Sequence, residues 1–209
     1  MIIKIIKKNR GFTIIETMVA ISVFLVVISA GMGTLLNANA LHNKAQNTRS
    51  IMDNLNFIMD DMSRNLRTGY DYRCYNSDSS GVAIDNFEYS QNPIMSTPRS
   101  CPNGWAVIFE NANGDPTTTA DQWSYFFMNG TIYKSVDGTD NFVQLTPNEV
   151  KINMATSGFS VIGAEPPATG DTNQPFIIIR LVGTIAYQNI TTPFSLESAV
   201  SQRLIDAQQ

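Results

Sequence analysis

The pattern of hydrophobic and polar positions divides the chain into three parts. Residues 14–36 form an apolar run of 23 residues in which Glu16 is the single charged side chain. From Ile51 to Leu66, apolar residues recur at steps of three and four, which is the spacing of one face of an amphipathic helix. Beyond Gly69 the chain changes to short β-rich runs separated by Gly, Pro, Asn and Asp. This order predicts a long helix followed by a β domain.

The helical part is predicted to be continuous. No proline occurs between Phe12 and Leu66, so a single helix of about 55 residues and roughly 80 Å is expected. Gly69 is its expected stop, since glycine commonly follows the last helical turn. We assign residues 12–41 to a membrane or filament-core half and residues 42–68 to the spine of a globular head. The buried face of this spine is predicted to hold Ile51, Leu55, Ile58, Met62 and Leu66.

The remaining residues, 69–209, are predicted to form an antiparallel β head, so the fold class is α+β. Asn129-Gly130, between two apolar runs, predicts a tight hairpin. Residues 164–174 are expected to form a long loop and Tyr70 to Ser80 a connection without a strand. The expected strands are Val82 to Tyr89, Trp105 to Glu110, Gln122 to Met128, Thr131 to Ser135, Phe142 to Leu145, Val150 to Ala155, Phe159 to Ile162, Phe176 to Tyr187 and Phe194 to Val200.

The apolar run is long enough to cross a bilayer. As a helix it spans about 35 Å, against roughly 30 Å of hydrocarbon. The first ten residues hold four cations and no acid, namely Lys4, Lys7, Lys8 and Arg10. By the positive-inside rule this cluster keeps the N-terminus in the cytoplasm and places everything after about Leu41 outside.

A cleaved secretory signal is the alternative explanation of this segment. Ala38-Asn39-Ala40 has the small-x-small form that signal peptidase favours. The apolar run is, however, longer than the roughly 7 to 15 residues typical of a signal peptide. It also contains the Glu16 carboxylate near its start. An ionised side chain inside a bilayer costs a few kcal/mol and indicates function, unless Glu16 reaches the headgroup boundary and stays in water.

The residues around Glu16 carry a resemblance. The stretch Lys7-Lys8-Asn9-Arg10-Gly11-Phe12-Thr13-Ile14-Ile15-Glu16 resembles the processing site of type IV prepilins and of type II secretion pseudopilins. In that family a basic leader ends in Gly, the mature chain begins with an apolar residue, and Glu is its fifth residue. Gly11, Phe12 and Glu16 match in identity and spacing.

The resemblance implies a set of roles for these residues. A prepilin peptidase is expected to remove the leader, residues 1–11, by cutting between Gly11 and Phe12, and to methylate the new amino group of Phe12. The cationic amine of Phe12 then pairs with Glu16 of a neighbouring subunit, which offsets both desolvation costs and sets the axial register. Thr13 is expected to add a hydroxyl to the same assembly site.

One departure from the family pattern concerns the membrane helix. Many filament-forming pilins carry a proline there, and this segment has none. Gly31 and Gly33 lie in the corresponding region, where each weakens the helix by about 1 kcal/mol relative to Ala. The alternative is that both are small residues for close helix packing.

Charge and composition limit the other classes of function. The net charge of -4 becomes -8 once the four N-terminal cations are removed, because 10 basic and 18 acidic side chains remain. Such an acidic body disfavours binding to a polyphosphate backbone, so no nucleic-acid partner is expected. With two cysteines and one histidine, His42, the chain lacks the residues of common zinc sites, and no catalytic motif occurs. We therefore expect no enzyme activity, no cofactor and no metal.

Three features of the head leave alternatives open. Cys74 and Cys101 are expected to form a disulfide in an oxidising compartment, the alternative being two thiols. Asn111 to Asp115 and Asp137 to Asp140 hold oxygen ligands suited to calcium, but turn formation explains both segments. Exposed aromatic residues would suit a binding head, whereas in a β domain they usually pack in the core, and the candidates are Tyr70, Trp105 and Trp123.

The size of the head suggests a particular kind of subunit. The helix-then-sheet order, the mature length near 198 residues and the ending from Phe194 to Arg203 are similar to the larger J-type pseudopilins and W-type minor pilins. This implies a minor structural subunit, inserted in the inner membrane and then assembled into a pilus or pseudopilus. Its implied partners are other pilins, the prepilin peptidase, the inner-membrane assembly platform and, before assembly, membrane lipid. The alternative is an anchored or filament-tip binding module.

Overall fold

A single helix precedes all the strands in the computed structural model. The structure describes residues 11–76, 97–115, 117–118, 120–138, 141–166, 170, 173–187 and 190–203. Helix α1 spans Ile14–Thr68. Its bounds confirm the continuous helix expected from the absence of proline, and its last residue directly precedes Gly69.

The chain separates into two compact units, Met1–Asn47 and Thr48–Gln209. In the first unit, the described residues are Gly11, Phe12, Thr13 and the apolar half of α1. The second unit contains the rest of α1 and every strand that the structure describes. This second unit is the head.

The end of α1 is fixed by close contacts. Gly69 donates its backbone N–H to the Asn65 carbonyl at 3.0 Å. A side chain at position 69 would overlap the Phe109 ring, so only glycine fits. The hydroxyl of buried Tyr72 lies 2.5 Å from the Leu66 carbonyl and 2.6 Å from the Gly69 carbonyl. Carbonyls of the last helical turn lack partners within the helix, and Tyr72 supplies one.

Ten strands follow in the described part of the head. They are β1 (Tyr70–Tyr75), β2 (Cys101–Gly104), β3 (Ala106–Glu110), β4 (Trp123–Met128), β5 (Thr131–Ser135), β6 (Val143–Gln144), β7 (Val150–Ile152), β8 (Gly158–Ile162), β9 (Phe176–Tyr187) and β10 (Ile190–Ser201).

The strands form two antiparallel sheets. The first has the order β1-β3-β4-β5-β6, and the second has the order β10-β9-β8-β2, with β7 paired to β9 beside β8. The β4–β5 hairpin confirms the turn predicted at Asn129-Gly130, because Met128 pairs directly with Thr131. Both turn residues have positive φ, 52° at Asn129 and 75° at Gly130, as a two-residue hairpin turn requires. The α+β prediction is confirmed.

The core lies between the spine half of α1 and the strands. All five residues predicted for the buried helix face are buried, and Met59 joins them. They pack in one cluster with side chains of both sheets, including Phe109, Tyr125, Phe159 and Ile179. A smaller cluster of Tyr75, Trp105, Ala106, Ile108 and Phe126 lies apart from it. Apolar burial of this extent is the main force that holds the spine to the sheets.

Several strand predictions need correction. Tyr70–Tyr75 was expected to be a connection and is a strand paired with β3. Cys101–Gly104 was missed because Pro102-Asn103-Gly104 is typical of a turn. The strand expected from Val150 to Ala155 ends at Ile152. The strand predicted from Val82 to Tyr89 lies outside the described residues.

The last hairpin is longer than expected. Strand β10 begins at Ile190, four residues before the predicted Phe194, and pairs with β9 over its whole length. Pro193 lies inside it, opposite Thr184. Because β10 is an edge strand of its sheet, a residue without an N–H is tolerated there.

Candidate assembly site at the N-terminus

Thr13 caps the start of α1. The helix begins at Ile14, and the Thr13 hydroxyl oxygen accepts the backbone N–H of Glu16 at 3.3 Å. The Thr13 carbonyl accepts the N–H of Thr17 at 3.2 Å. Thr-x-x-Glu is the spacing of a capping box, in which the first side chain satisfies an N–H that the helix leaves without a partner. This role of Thr13 was missed from the sequence, although the spacing itself was the signal.

The Glu16 carboxylate is not used by this cap. Within the described residues, no side chain or backbone N–H donates to its oxygens, and it forms no ion pair. Glu16 lies in the first turn of α1, where the partial positive charge of the helix N-terminus favours an anion. The carboxylate is thus held near the N-terminus of the helix while its hydrogen-bonding capacity stays open.

The other polar side chains of the apolar half satisfy themselves. Each hydroxyl donates to a backbone carbonyl three or four residues earlier, at 2.7 to 3.0 Å. The donors are Thr17, Ser22, Ser29 and Thr34, and the acceptors are the carbonyls of Ile14, Met18, Leu25 and Ala30. Such bonds within one helix keep hydroxyls compatible with a hydrocarbon environment. Glu16 differs from them all in lacking an internal partner.

The apolar half presents a large uncovered hydrophobic surface. None of its most apolar stretch is buried within the chain, and its length and composition suffice to cross a membrane. Ile14 is 82% exposed and Leu35 is 71% exposed. Contiguous apolar surface of this extent needs a cover of lipid or of other helices.

Gly11 and Phe12 precede the helix. Neither belongs to a helix or strand, so the peptide bond between them lies outside the hydrogen-bonded ladder of α1. No heavy atom lies within 4 Å of the place a side chain would occupy at Gly11. Phe12 is 80% exposed. The structure therefore brings Gly11, Phe12, Thr13 and Glu16 into one accessible segment.

Comparison with known families agrees with this segment. Residues 6–32 match the family model of the prokaryotic N-terminal methylation motif. The N-terminus is that of a type IV pilin-like precursor. The match includes Gly11, Phe12, Thr13 and Glu16 and ends within the apolar half of α1. No curated protein and no solved structure matches the chain significantly.

The head of the pilin-like chain is joined by a disulfide between Cys74 and Cys101. Their α-carbons lie 5.5 Å apart, a usual separation for such a bond. The bond links β1 of the first sheet to β2 of the second. A side chain at Gly104 would overlap both sulfur atoms. Close approach of the backbone therefore explains the glycine at the end of β2.

The oxygen-rich turns of the head use their own side chains. In the first turn, Asn113 donates its backbone N–H to Asn111 Oδ1 at 2.7 Å. Thr117 donates to Asp115 Oδ1 through both its N–H and its hydroxyl, and these bonds hold the pKa of Asp115 below its usual value. In the second turn, Ser135 donates to Asp137 Oδ1 at 3.0 Å, while residues 139 and 140 lie outside the described part. No group of three acidic, His or Cys side chains suited to a metal occurs among the described residues.

The aromatic candidates for a binding surface are packed inside the head. Trp105 is 8% exposed and Tyr70 is 9% exposed. The Tyr70 hydroxyl donates to the Gly114 carbonyl at 2.8 Å. Trp123 is partly buried against the main core and lies beneath the Lys134 ammonium at 4.7 Å. None of the three offers a free aromatic face for a ligand.

A buried ion pair occupies the edge between β1 and β3. Arg73 Nη1 lies 3.4 Å from Glu110 Oε1, and Gln122 donates to the same oxygen. Burial raises the pKa of Glu110, against the opposing effects of the Gln122 hydrogen bond and the Arg73 charge. The pair is internal to the head, so its role is structural. Sequence analysis gave no signal for it, because Arg73 and Glu110 are 37 residues apart.

Proposed function

We propose that this chain is the precursor of a structural subunit, of the minor kind, of a type IV pilus or a type II secretion pseudopilus. Its N-terminus is cytoplasmic, its apolar helix is inserted in the inner membrane, and its head is extracytoplasmic. The observation that carries this proposal is the unpartnered Glu16 carboxylate. It lies four residues after Phe12, in an exposed apolar helix whose other hydroxyl groups are all satisfied internally.

The first step of this function is processing. Prepilin peptidase cuts the bond between Gly11 and Phe12, releases residues 1–11 and methylates the new amino group of Phe12. The open surroundings of Gly11 and the exposure of Phe12 support this step. A residue without a side chain also lets a protease approach the backbone closely.

The second step is assembly with other pilin subunits. The cationic amine of Phe12 in one subunit pairs with the Glu16 carboxylate of its neighbour. An unpaired charge in hydrocarbon is costly, so an axial register that pairs both groups is favoured over registers that leave them apart. Thr13 fixes the first helical turn and thereby the position of Glu16 relative to Phe12. The inner-membrane assembly platform then moves the subunits out of the lipid.

The processing step is tested by intact mass. The full chain is expressed with a prepilin peptidase and extracted from the membrane. We expect a product that begins at Phe12 and carries one added methyl group. Gly11→Ala should block cleavage, whereas Gly31→Ala is the matched control, because both glycines have no heavy atom within 4 Å of the added carbon. A product beginning at Asn39 or Leu41 would instead show cleavage by signal peptidase and would refute the proposal.

The assembly step needs its own variant. Glu16→Gln removes the charge and keeps the size of the side chain, so it should be processed normally but enter filaments at least tenfold less often. Glu149→Gln, an exposed position of the head, is the matched control and should assemble as the parent chain does. Quantified immunoblots of sheared filaments provide the measurement. Equal incorporation of both variants would eliminate the Glu16 pairing while leaving the processing result intact.

A further inference from the structure

Three arginines meet at a pocket where α1 ends. The pocket has a volume of about 640 Å³, within the range of about 300 to 1,000 Å³ usual for small-molecule sites. It lies between the last turns of α1 and the end of β10. Its lining residues are Asp60, Ser63, Arg64, Arg67, Thr68, Val200 and Arg203.

The fold holds these arginines together from two directions. Arg64 and Arg67 are three residues apart on α1, so they share one helix face. Arg203 follows β10, and its backbone N–H donates to the Arg67 carbonyl at 2.8 Å. The Ser63 and Ser198 hydroxyls, 3.1 Å apart, join the same two elements. The positions of the three guanidinium groups are therefore set by the packing of α1 against β10.

These guanidinium groups have no counter-ion among the described residues. The head forms ion pairs elsewhere, at Arg73–Glu110, Lys134–Asp61 and Arg180–Glu197. Arg64, Arg67 and Arg203 enter none of these pairs and stay exposed. The head is acidic overall, so three unpaired cations at one pocket contrast with its general charge.

We propose that this pocket binds a phosphate monoester or inorganic phosphate. Three arginines and Asp60 sum to a charge of +2, and a phosphate monoester carries about -1.5 to -2 at neutral pH. Its three terminal oxygens can accept from several guanidinium groups at once, since each presents a planar fork of N–H donors. A single carboxylate has one charge and two oxygens and leaves part of this donor set unused.

Helix electrostatics alone does not account for the arrangement. Cations near a helix C-terminus are favoured by about 0.3 to 1 kcal/mol each, which explains Arg64 or Arg67 individually. It does not explain why Arg203, from another element, lines the same pocket. The site is independent of the proposed processing and assembly, which involve residues near Phe12.

Calorimetric titration of the full chain in a neutral detergent tests the site. The probes are inorganic phosphate, glycerol phosphate and, as a phosphodiester, dimethyl phosphate. We expect the first two to bind at one site per chain and dimethyl phosphate to bind at least tenfold more weakly. Absence of heat with both phosphate and glycerol phosphate would overturn the proposal. Equal binding of the diester would also overturn it and would indicate a polymer backbone as the ligand.

Charge-removing variants locate the binding. Arg64→Gln and Arg203→Gln should each lower the affinity for phosphate at least tenfold, and Arg203→Gln keeps the backbone bond to Arg67. Arg49→Gln, an exposed arginine of α1 away from the pocket, is the matched control and should bind normally. Thermal unfolding checks that the variants remain folded. An equal loss of affinity in all three variants would refute the location.

Discussion

Lys134 on β5 donates to Asp61 on α1, with its Nζ 3.0 Å from Asp61 Oδ2. The same carboxylate oxygen accepts the Tyr125 hydroxyl at 2.9 Å, and Asn65 Nδ2 donates to the other oxygen at 3.0 Å. The spine helix is thus tied to the first sheet by charge as well as by apolar packing. Burial acts to raise the pKa of Asp61, but the hydrogen bonds and the Lys134 charge outweigh it, so the pKa lies below its usual value.

Asp61→Asn should lower the free energy of unfolding of the head by about 1 to 2 kcal/mol, because a charge-assisted network becomes a neutral one. Asp53→Asn, an exposed residue of the same helix, should change it little. Both tryptophans lie in the head, so urea unfolding followed by tryptophan fluorescence reports on this unit within the full chain. Equal midpoints for the two variants would show that the network adds nothing to stability.

The lowered pKa of Asp61 also predicts a dependence on pH. A carboxyl group whose folded pKa is depressed stabilises the fold above its unfolded pKa, near 3.8, and loses this contribution as pH falls through the folded pKa. Unfolding midpoints measured from pH 6 down to pH 2 should therefore converge for the parent chain and Asp61→Asn at the acid end. A constant difference across this range would contradict the pKa shift.

The spine face gives a second prediction, on packing. Leu55 is fully buried and Phe57, two residues later, is 73% exposed. Leu55→Ala should destabilise the head by about 2 to 5 kcal/mol, through lost burial and the cavity left behind. Phe57→Ala removes more atoms and should cost under about 0.5 kcal/mol, as exposed positions usually do. A larger loss for Phe57→Ala would mean that the described burial of α1 is wrong.

Regular spacing made α1 and its buried face predictable. The missing proline, the steps of three and four, and Gly69 each determine local geometry. The pairing of strands depends on distant residues and was harder to predict. Pro193 is typical of a break, yet it is accommodated because β10 is an edge strand, and edge position is not visible in one sequence.

The candidate site was predictable to a similar degree. Gly11, Phe12 and Glu16 follow one another at fixed spacing, so the sequence alone identified the segment. The hydroxyl of Thr13 was expected to serve a neighbouring subunit, whereas in the structure it caps its own helix. The arginine pocket combines Arg64 and Arg67 with Arg203, more than 130 residues later in the chain. Only the packing of α1 against β10 brings these residues together.

The β4–β5 turn gives a third prediction. Gly130 has φ of 75°, a conformation that costs an ordinary residue about 1 to 2 kcal/mol. Gly130→Ala should lower the free energy of unfolding by about that amount. Gly130→Asn should retain most of the stability, because asparagine adopts this conformation more easily. Equal losses for alanine and asparagine would mean that crowding near the Ile152 carbonyl, not the dihedral angle, decides the cost.

The disulfide gives the last prediction. Cys74 and Cys101 are 27 residues apart, and closing a loop of that size restricts the unfolded chain by about 3 to 4 kcal/mol in the chain-entropy model. The double variant Cys74→Ala/Cys101→Ala should therefore unfold at clearly lower urea, and its head should be cleaved faster by a protease. The parent chain kept reduced is the matched control, since it has both side chains and no cross-link. Because both sites are buried, a variant less stable than the reduced parent chain would show that lost packing adds to lost closure. A reduced chain as stable as the oxidised one would show that the bond does not stabilise the head.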